Sequence, residues 1–341
     1  MIKATTTYVK RAGTLVTGLF AAFVLLTSTA VADELRFYGL LAKEVQDEVI
    51  QFLNKELADK IGMPIVSLAL STGELHARIM AEAPNVGADV VLHLEWGGLK
   101  MVKAGLVQPY PNAPAWKDIP ARYKHPDGHF YNLGTFSFVL VGNKDRLKEK
   151  GYSMPESYFD LLDPKWKGEI LMPSPVTSGT AAMINASLLS LFSSEDVGWS
   201  FLEHLDKNVD QYTKSGNTPT TLVARGEFML GLTSDENVSV VIKEGYPLVW
   251  KAPREGIGAE GNVVMIVKGT KHLEEAKKLV NFMGTEKFQR FFAKYGYLAA
   301  RPGMKSALYP SQPKFIKYDA AWAANNRDRI LKIWKGKFLK R

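Results

Sequence analysis

Between Met172 and Ala182 the chain reads Met-Pro-Ser-Pro-Val-Thr-Ser-Gly-Thr-Ala-Ala, which groups the hydroxyls of Thr177, Ser178 and Thr180 around Gly179. The preceding run, Gly168 to Met172, fits a short strand, and Ala181 to Phe192 fits a helix with few polar interruptions. The turn is therefore predicted to be a helix N-terminus. Four backbone N–H groups lack intrahelical partners there, and the helix dipole makes that end partly positive, so an anion or a polarised oxygen binds readily. Gly179 lets a ligand approach the backbone closely. An ordinary Ser/Thr helix cap reads the same way. The pattern occurs twice, however: Leu68 to Met80 repeats the apolar strand, a hydroxyl-hydroxyl-glycine turn at Ser71, Thr72 and Gly73, and then a helix. Two such ends facing one cleft could clamp one small ligand.

Other side chains fall at strand ends. Asp235 and Glu236 follow the strand expected over Glu227 to Leu232, within Thr233-Ser-Asp-Glu-Asn237. Asp235 is either a ligand contact or the cap of the next helix, and Glu236 is read first as a helix residue stabilised by the dipole. His93 and Trp96 follow the strand expected over Ala88 to Leu92. Trp96 could stack on a sugar face or fill the core, and His93 is a contact or an interior imidazole. Tyr38, at the end of the first strand, has the same two readings.

These elements belong to a longer alternation. Leu35 to Tyr38 and Pro64 to Leu70 read as strands, and Val45, Val49, Phe52, Leu53 and Leu57 share one helical face. A Pro-rich, aromatic stretch from Pro109 to Tyr131 is irregular. Phe136 to Gly142 is a strand, a second α/β run starts at Asp145, Ser215-Gly216 is a loop, and Asn262 to Val267 is again strand-like. The alternation implies an α/β fold with a mostly parallel sheet, divided into two lobes joined by crossing strands.

Composition narrows the function. Lys3, Lys10 and Arg11 precede an apolar core from Thr14 to Leu26 and the small-residue site Ala30-Val-Ala32, so residues 1–32 are expected to be a cleavable secretory signal peptide, giving a periplasmic, soluble product. The absence of cysteine excludes disulfides, thiolate metal sites and thiol nucleophiles. The formal charge is +8, but residues 301–341 carry eleven Lys and Arg against Asp319 and Asp328. The remainder of the exported chain is therefore mildly acidic, which argues against nucleic acid as a partner. The basic tail is expected to be a solvated helix with Trp322, Ile330, Ile333 and Trp334 packed on the body.

In order along the chain stand Ser71-Thr-Gly-Glu-Leu-His-Ala-Arg-Ile79, Ala88-Asp-Val-Val91, Gly105-Leu-Val-Gln-Pro-Tyr110, Val141-Gly-Asn-Lys-Asp145, Phe159-Asp-Leu-Leu-Asp-Pro-Lys-Trp-Lys-Gly168, Ser178-Gly-Thr180, Val223-Ala-Arg-Gly-Glu227 and Tyr297-Leu-Ala-Ala-Arg-Pro-Gly303. With this ordered set the chain resembles the periplasmic substrate-binding proteins of ABC transporters, in the cluster that binds ferric iron, 2-aminoethylphosphonate or hexose phosphates. The resemblance implies a type II binding-protein fold of mixed sheets, flanking helices and a hinge. Residues 33–136 would form the first part of lobe 1, residues 137–260 lobe 2, and residues 261–341 the return to lobe 1 and the tail. It also implies a monomer that closes on a small-molecule ligand and docks on an inner-membrane permease with its ATPase, without a cofactor. Iron-binding members usually carry adjacent tyrosines after the strand that ends here at Leu232. This chain has Thr233-Ser-Asp-Glu-Asn237 instead, so iron held by a tyrosine pair is disfavoured. A phosphorylated or phosphonate solute with a donor-bearing second end suits both the helix ends and the nearby acids.

The rival classes are weaker. No Gly-x-Ser-x-Gly elbow precedes a helix, and Ser178 lacks a His partner in motif context. The histidines show no metal-ligand spacing, and His125 and His129 lie in a Pro/Gly loop where zinc needs further ligands. A glycosidase carboxylate pair, or a ligand sensor docking on a kinase, remain alternatives.

Overall fold

The apolar runs become strands of one mixed sheet in the computed structural model, which describes residues 33–236, 238–317 and 319–339. The expected signal peptide lies outside the described residues. β1 (Leu35–Gly39), β2 (Ile65–Ala69) and β3 (Val90–Leu94) run parallel, with α1 (Lys43–Ile61) and α2 (Thr72–Glu82) as crossovers. α3 (Glu95–Lys103) leads to β4 (Val107–Gln108) and, after two 3-10 turns, to the long β5 (Tyr131–Asn143). Then follow α4 (Lys144–Lys150), β6 (Ile170–Pro173), α5 (Gly179–Ser190), α6 (Glu195–Asp206), β7 (Val209–Thr213), α7 (Thr218–Ala224), β8 (Leu230–Ser234), α8 (Val238–Lys243) and β9 (Leu248–Lys251). The chain returns through β10 (Ala259–Val267), α9 (Leu273–Met283), α10 (Glu286–Ala293) and β11 (Leu298–Ala299), and ends in α11 (Ala320–Phe338).

β5 belongs to both halves of the sheet. Its first part pairs antiparallel with β10, and from Phe138 onward it pairs antiparallel with β8 and β9. The outer strands β1, β2 and β3, and β6, β7 and β8, are parallel, whereas the centre is antiparallel. The expectation of a mostly parallel sheet is thus corrected: hydrophobic pattern marks a strand but carries no direction. Each half-sheet with its helices forms a lobe, and β5 and β10 connect them.

Local sequence explains the elements. Val45, Val49, Leu53 and Leu57 recur every four residues and are all buried, which gives α1 its inner face. Gly62, left-handed at φ 80°, ends it. The basic tail becomes α11, whose Ile330, Trp334 and Phe338 also recur every four residues and are buried. Trp334 meets Tyr212 edge-on at 4.9 Å, while Arg329 grips Glu195 through two bonds of 2.8 and 2.7 Å and Lys337 pairs with Glu203. On the other lobe Arg327 covers the Trp96 ring at 4.2 Å and Lys100 approaches Asp328 at 3.5 Å. The tail therefore straddles both lobes, and its apolar face dominates, because exposed ion pairs add little. Trp334→Ala should cost about 3–5 kcal/mol, read as a lower denaturant midpoint at unchanged m-value; a loss no larger than that of Arg329→Ala would show that the helix is held by charge.

Candidate functional site

The two hydroxyl-glycine turns form the ends of α2 and α5, and the fold brings them face to face. At α2, the Ser71 backbone N–H and hydroxyl both donate to Glu74, at 3.2 and 2.7 Å. At α5, the Ser178 hydroxyl accepts the Ala181 N–H at 3.3 Å. The lobes touch here: the Gly73 N–H donates to the Thr177 carbonyl at 3.1 Å, and Lys214 of lobe 2 pairs with Glu74 of lobe 1 at 2.7 Å. That lysine, and then the Ser71 hydroxyl, hold the Glu74 carboxyl below its usual range.

The close approach itself favours glycine at these ends. A Cβ on Gly179 would lie 2.7 Å from both the Leu94 side chain and the Thr72 hydroxyl, across the interlobe contact, and one on Gly73 would lie 3.1 Å from the Thr177 carbonyl.

Beside this contact is a polar cavity of about 40 Å³, with Leu40, Ser71, Thr72 and Phe136 on one side and Ser178, Thr180, Ser215, Gly216, Asn217, Ser234 and Glu236 on the other. It has room for about one water, so a larger solute is accommodated there only when the lobes part. The 213–217 segment is pinned by the Thr233 hydroxyl and the Ser234 N–H, which donate to the Gly216 carbonyl at 2.8 and 3.1 Å, and by the bond between the Ser234 hydroxyl and Asn217.

Glu236 spans the lobes. One carboxylate oxygen accepts the Ala42 N–H at the start of α1 at 3.0 Å, and the other accepts the Asn217 amide at 3.1 Å. Burial pushes its carboxyl up, against the downward pull of those two donors. A carboxylate from lobe 2 thus occupies the N-terminus of a lobe 1 helix, as the dipole argument requires of an oxyanion. The first reading of Glu236, as a residue stabilised by its own helix, is corrected: the dipole it meets is that of α1.

The structure brings Ser71, Thr72, Ser178, Thr180 and Glu236 to one cavity, with Gly73, Thr177 and Gly179 in the contact beside it. The Thr177 hydroxyl is already engaged by the Lys214 carbonyl at 2.6 Å. Four other candidates lie elsewhere. Asp235 is fully buried and accepts the Tyr309 hydroxyl at 3.0 Å, so it faces neither the cavity nor its own helix; its other oxygen has no partner. Burial, and then Glu236, push this carboxyl well up, against the Ser137 and Tyr309 bonds. His93 lies within β3, which extends to Leu94, and pairs with Val263 of β10. It is solvent-inaccessible, its Nδ1–H donates to the Leu94 carbonyl at 3.1 Å, and burial pushes it down to about 3. Trp96 packs on His93 at 5.0 Å and under Arg327, between α3 and α11. Tyr38 is interior, its hydroxyl donating to Glu82 at 3.4 Å. None of the four lines the cavity.

Sequence reasoning missed Leu40, Phe136, Ser215, Gly216, Asn217 and Ser234 as lining residues. Lys214-Ser-Gly-Asn217 is a third hydroxyl-glycine turn between a strand and a helix. The polar β7, Val-Asp-Gln-Tyr-Thr, hides the preceding strand.

Comparison with known proteins agrees with this architecture. The structure of the periplasmic binding protein AfuA of Actinobacillus pleuropneumoniae, with fructose-6-phosphate bound, matches with a TM-score of 0.81 and 27% identity, covering 90% of this chain and 99% of that one. "Probable ABC transporter periplasmic-binding protein y4fP" of Sinorhizobium fredii is 29% identical over 266 residues, 72% of this chain and 70% of its own. Iron uptake protein A1 of Synechocystis is 26% identical over 238 residues, 66% and 64% of the two chains. The family model of the bacterial extracellular solute-binding proteins matches residues 88–324. With its two lobes meeting over a polar cavity, the chain belongs to the bacterial extracellular solute-binding proteins, with relatives that serve ABC transporters in the periplasm.

Proposed function

We propose that this protein captures a small phosphorylated or phosphonate solute between its lobes and delivers it to an ABC permease. The observation that carries this is the meeting of the α2 and α5 N-termini, with the hydroxyls of Ser71, Thr72, Ser178 and Thr180, at one polar cavity. Helix-end N–H groups, hydroxyls and two helix dipoles complement a phosphoryl group. Asn217 and the carboxyl of Glu236 serve the second end of the solute, hydroxyls or an ammonium. The fructose-6-phosphate bound by AfuA has this two-ended character.

Ferric iron, the cargo in the name of the Synechocystis relative, fits less well. No tyrosine lines the cavity among the described residues. The nearby Tyr297 is buried, and burial and then Glu236 push its phenol well above the usual value, opposite to what phenolate ligation needs.

A thermal-shift screen of the purified protein tests the reading. Fructose 6-phosphate, 2-aminoethylphosphonate, inorganic phosphate, ferric citrate and spermidine would be compared. One organophosphorus compound should raise the melting temperature selectively, since a ligand at 100 times its Kd stabilises by about 2.7 kcal/mol. A shift with ferric citrate alone, or turnover of a sugar phosphate, would overturn it.

A further inference from the structure

Between Lys124 and Tyr131 the chain makes a tight hairpin far in sequence from every cavity-lining segment except Phe136. The His125 N–H donates to the Phe130 carbonyl at 3.0 Å and the Gly128 N–H to the His125 carbonyl at 2.9 Å; Tyr110 donates to the Gly128 carbonyl at 2.9 Å. Gly128, at φ 70°, takes the left-handed position, and a Cβ there would lie 2.6 Å from the Pro111 backbone, so residues 125–130 are held in one shape. That shape gathers His125, Asp127 and His129, each with a ligand-type atom within 4.8 Å of the other two. The two imidazoles stand edge to face at 4.9 Å. Nδ1 of His129 is shielded from solvent and has no hydrogen-bond partner. The nearest lysine on the hairpin, Lys124, turns its ammonium onto the Trp116 carbonyl at 3.0 Å, away from a competing position.

We propose that His125, Asp127 and His129 form a surface site for one divalent transition-metal cation, separate from the solute cavity. Two imidazoles and one carboxylate suit zinc or nickel, and water completes the coordination. Bonds of about 2.0–2.2 Å bring the three ligand atoms closer than they stand here, which side-chain rotation of the partly exposed residues allows. The Asp127 N–H donates to Nδ1 of His125 at 3.2 Å, and this long bond is given up or its tautomer exchanged when the cation binds. The third ligand, Asp127, is what the His-x-x-x-His spacing alone lacked.

The test is titration of untagged protein with zinc against a chromophoric chelator, with magnesium as the control because imidazole disfavours it. One equivalent of zinc should be held, Asp127→Asn should weaken it by at least about tenfold, the loss that even an outer-shell partner causes, and the double variant His125→Ala, His129→Ala should no longer compete. Its melting temperature and its response to the solute screen should match the parent, which separates this site from the cavity. Zinc binding by the double variant equal to the parent's, or no competition by the parent, would overturn the proposal.

Discussion

Gly179→Val is expected to weaken solute capture about tenfold to 100-fold or more while the protein stays folded. The atoms that a Cβ on Gly179 would strike, Leu94 and the Thr72 hydroxyl at 2.7 Å, belong to the opposite lobe. Valine therefore obstructs only the closed arrangement. Forcing extra methyls into a packed contact costs about 1–3 kcal/mol or more, and each 1.4 kcal/mol taken from the closed state weakens binding about tenfold. Affinity for whichever compound the thermal screen identifies should fall about tenfold to 100-fold or more. The melting temperature of the ligand-free protein should change little, because opening relieves the clash. Small-angle scattering adds an independent readout: the parent should become more compact on adding solute, and the variant should not. Wild-type affinity in the variant would mean that the lobes do not close onto the α2 and α5 ends as described.

What could be read from the sequence, and what could not, follows one physical line. The Ser71 and Ser178 turns were legible because a hydroxyl-glycine step between an apolar strand and a helix is local, and local geometry makes the helix end polar. Strand direction was not legible, since β5 serves two half-sheets whose partners, β10 and β8, are distant in sequence. Nor was the parting of Asp235 from Glu236. These neighbours face opposite ways, Asp235 toward Tyr309 at a separation of 74 residues and Glu236 toward Ala42 at 194. Of the two readings open for His93, the interior imidazole is the one the structure shows, and the choice was not legible because β3 ends at Leu94 rather than Leu92.

Asp235→Asn should stabilise the protein at neutral pH and flatten the pH dependence of its melting temperature, with solute affinity unchanged. Asp235 is inaccessible to solvent, with one oxygen bonded to Tyr309 and the other unpartnered. Burial raises its carboxyl well above the ordinary value, and Glu236 beside it is raised as well. Asp235 is therefore favoured in its neutral form in the folded protein while it ionises near pH 4 in the unfolded chain. Folding above that pH takes up protons, so this stability is complete below the unfolded pKa and is lost as pH rises toward the raised folded value. Each such group contributes a slope of about 1.4 kcal/mol per pH unit over that window. Asparagine keeps the shape and the acceptor for Tyr309 but removes the titration, leaving Glu236 to supply the residual slope. Melting curves from pH 4.5 to 7.5 should show the variant gaining on the parent as pH rises, by about 2–4 °C for each kcal/mol. Curves that stay parallel would show that Asp235 is ionised in the fold and is stabilised by contacts other than Tyr309. A variant that is flatter but also loses solute affinity would return Asp235 to the binding site. The geometry argues against that outcome, since Asp235 does not line the cavity and its carboxyl is bonded to Tyr309 instead.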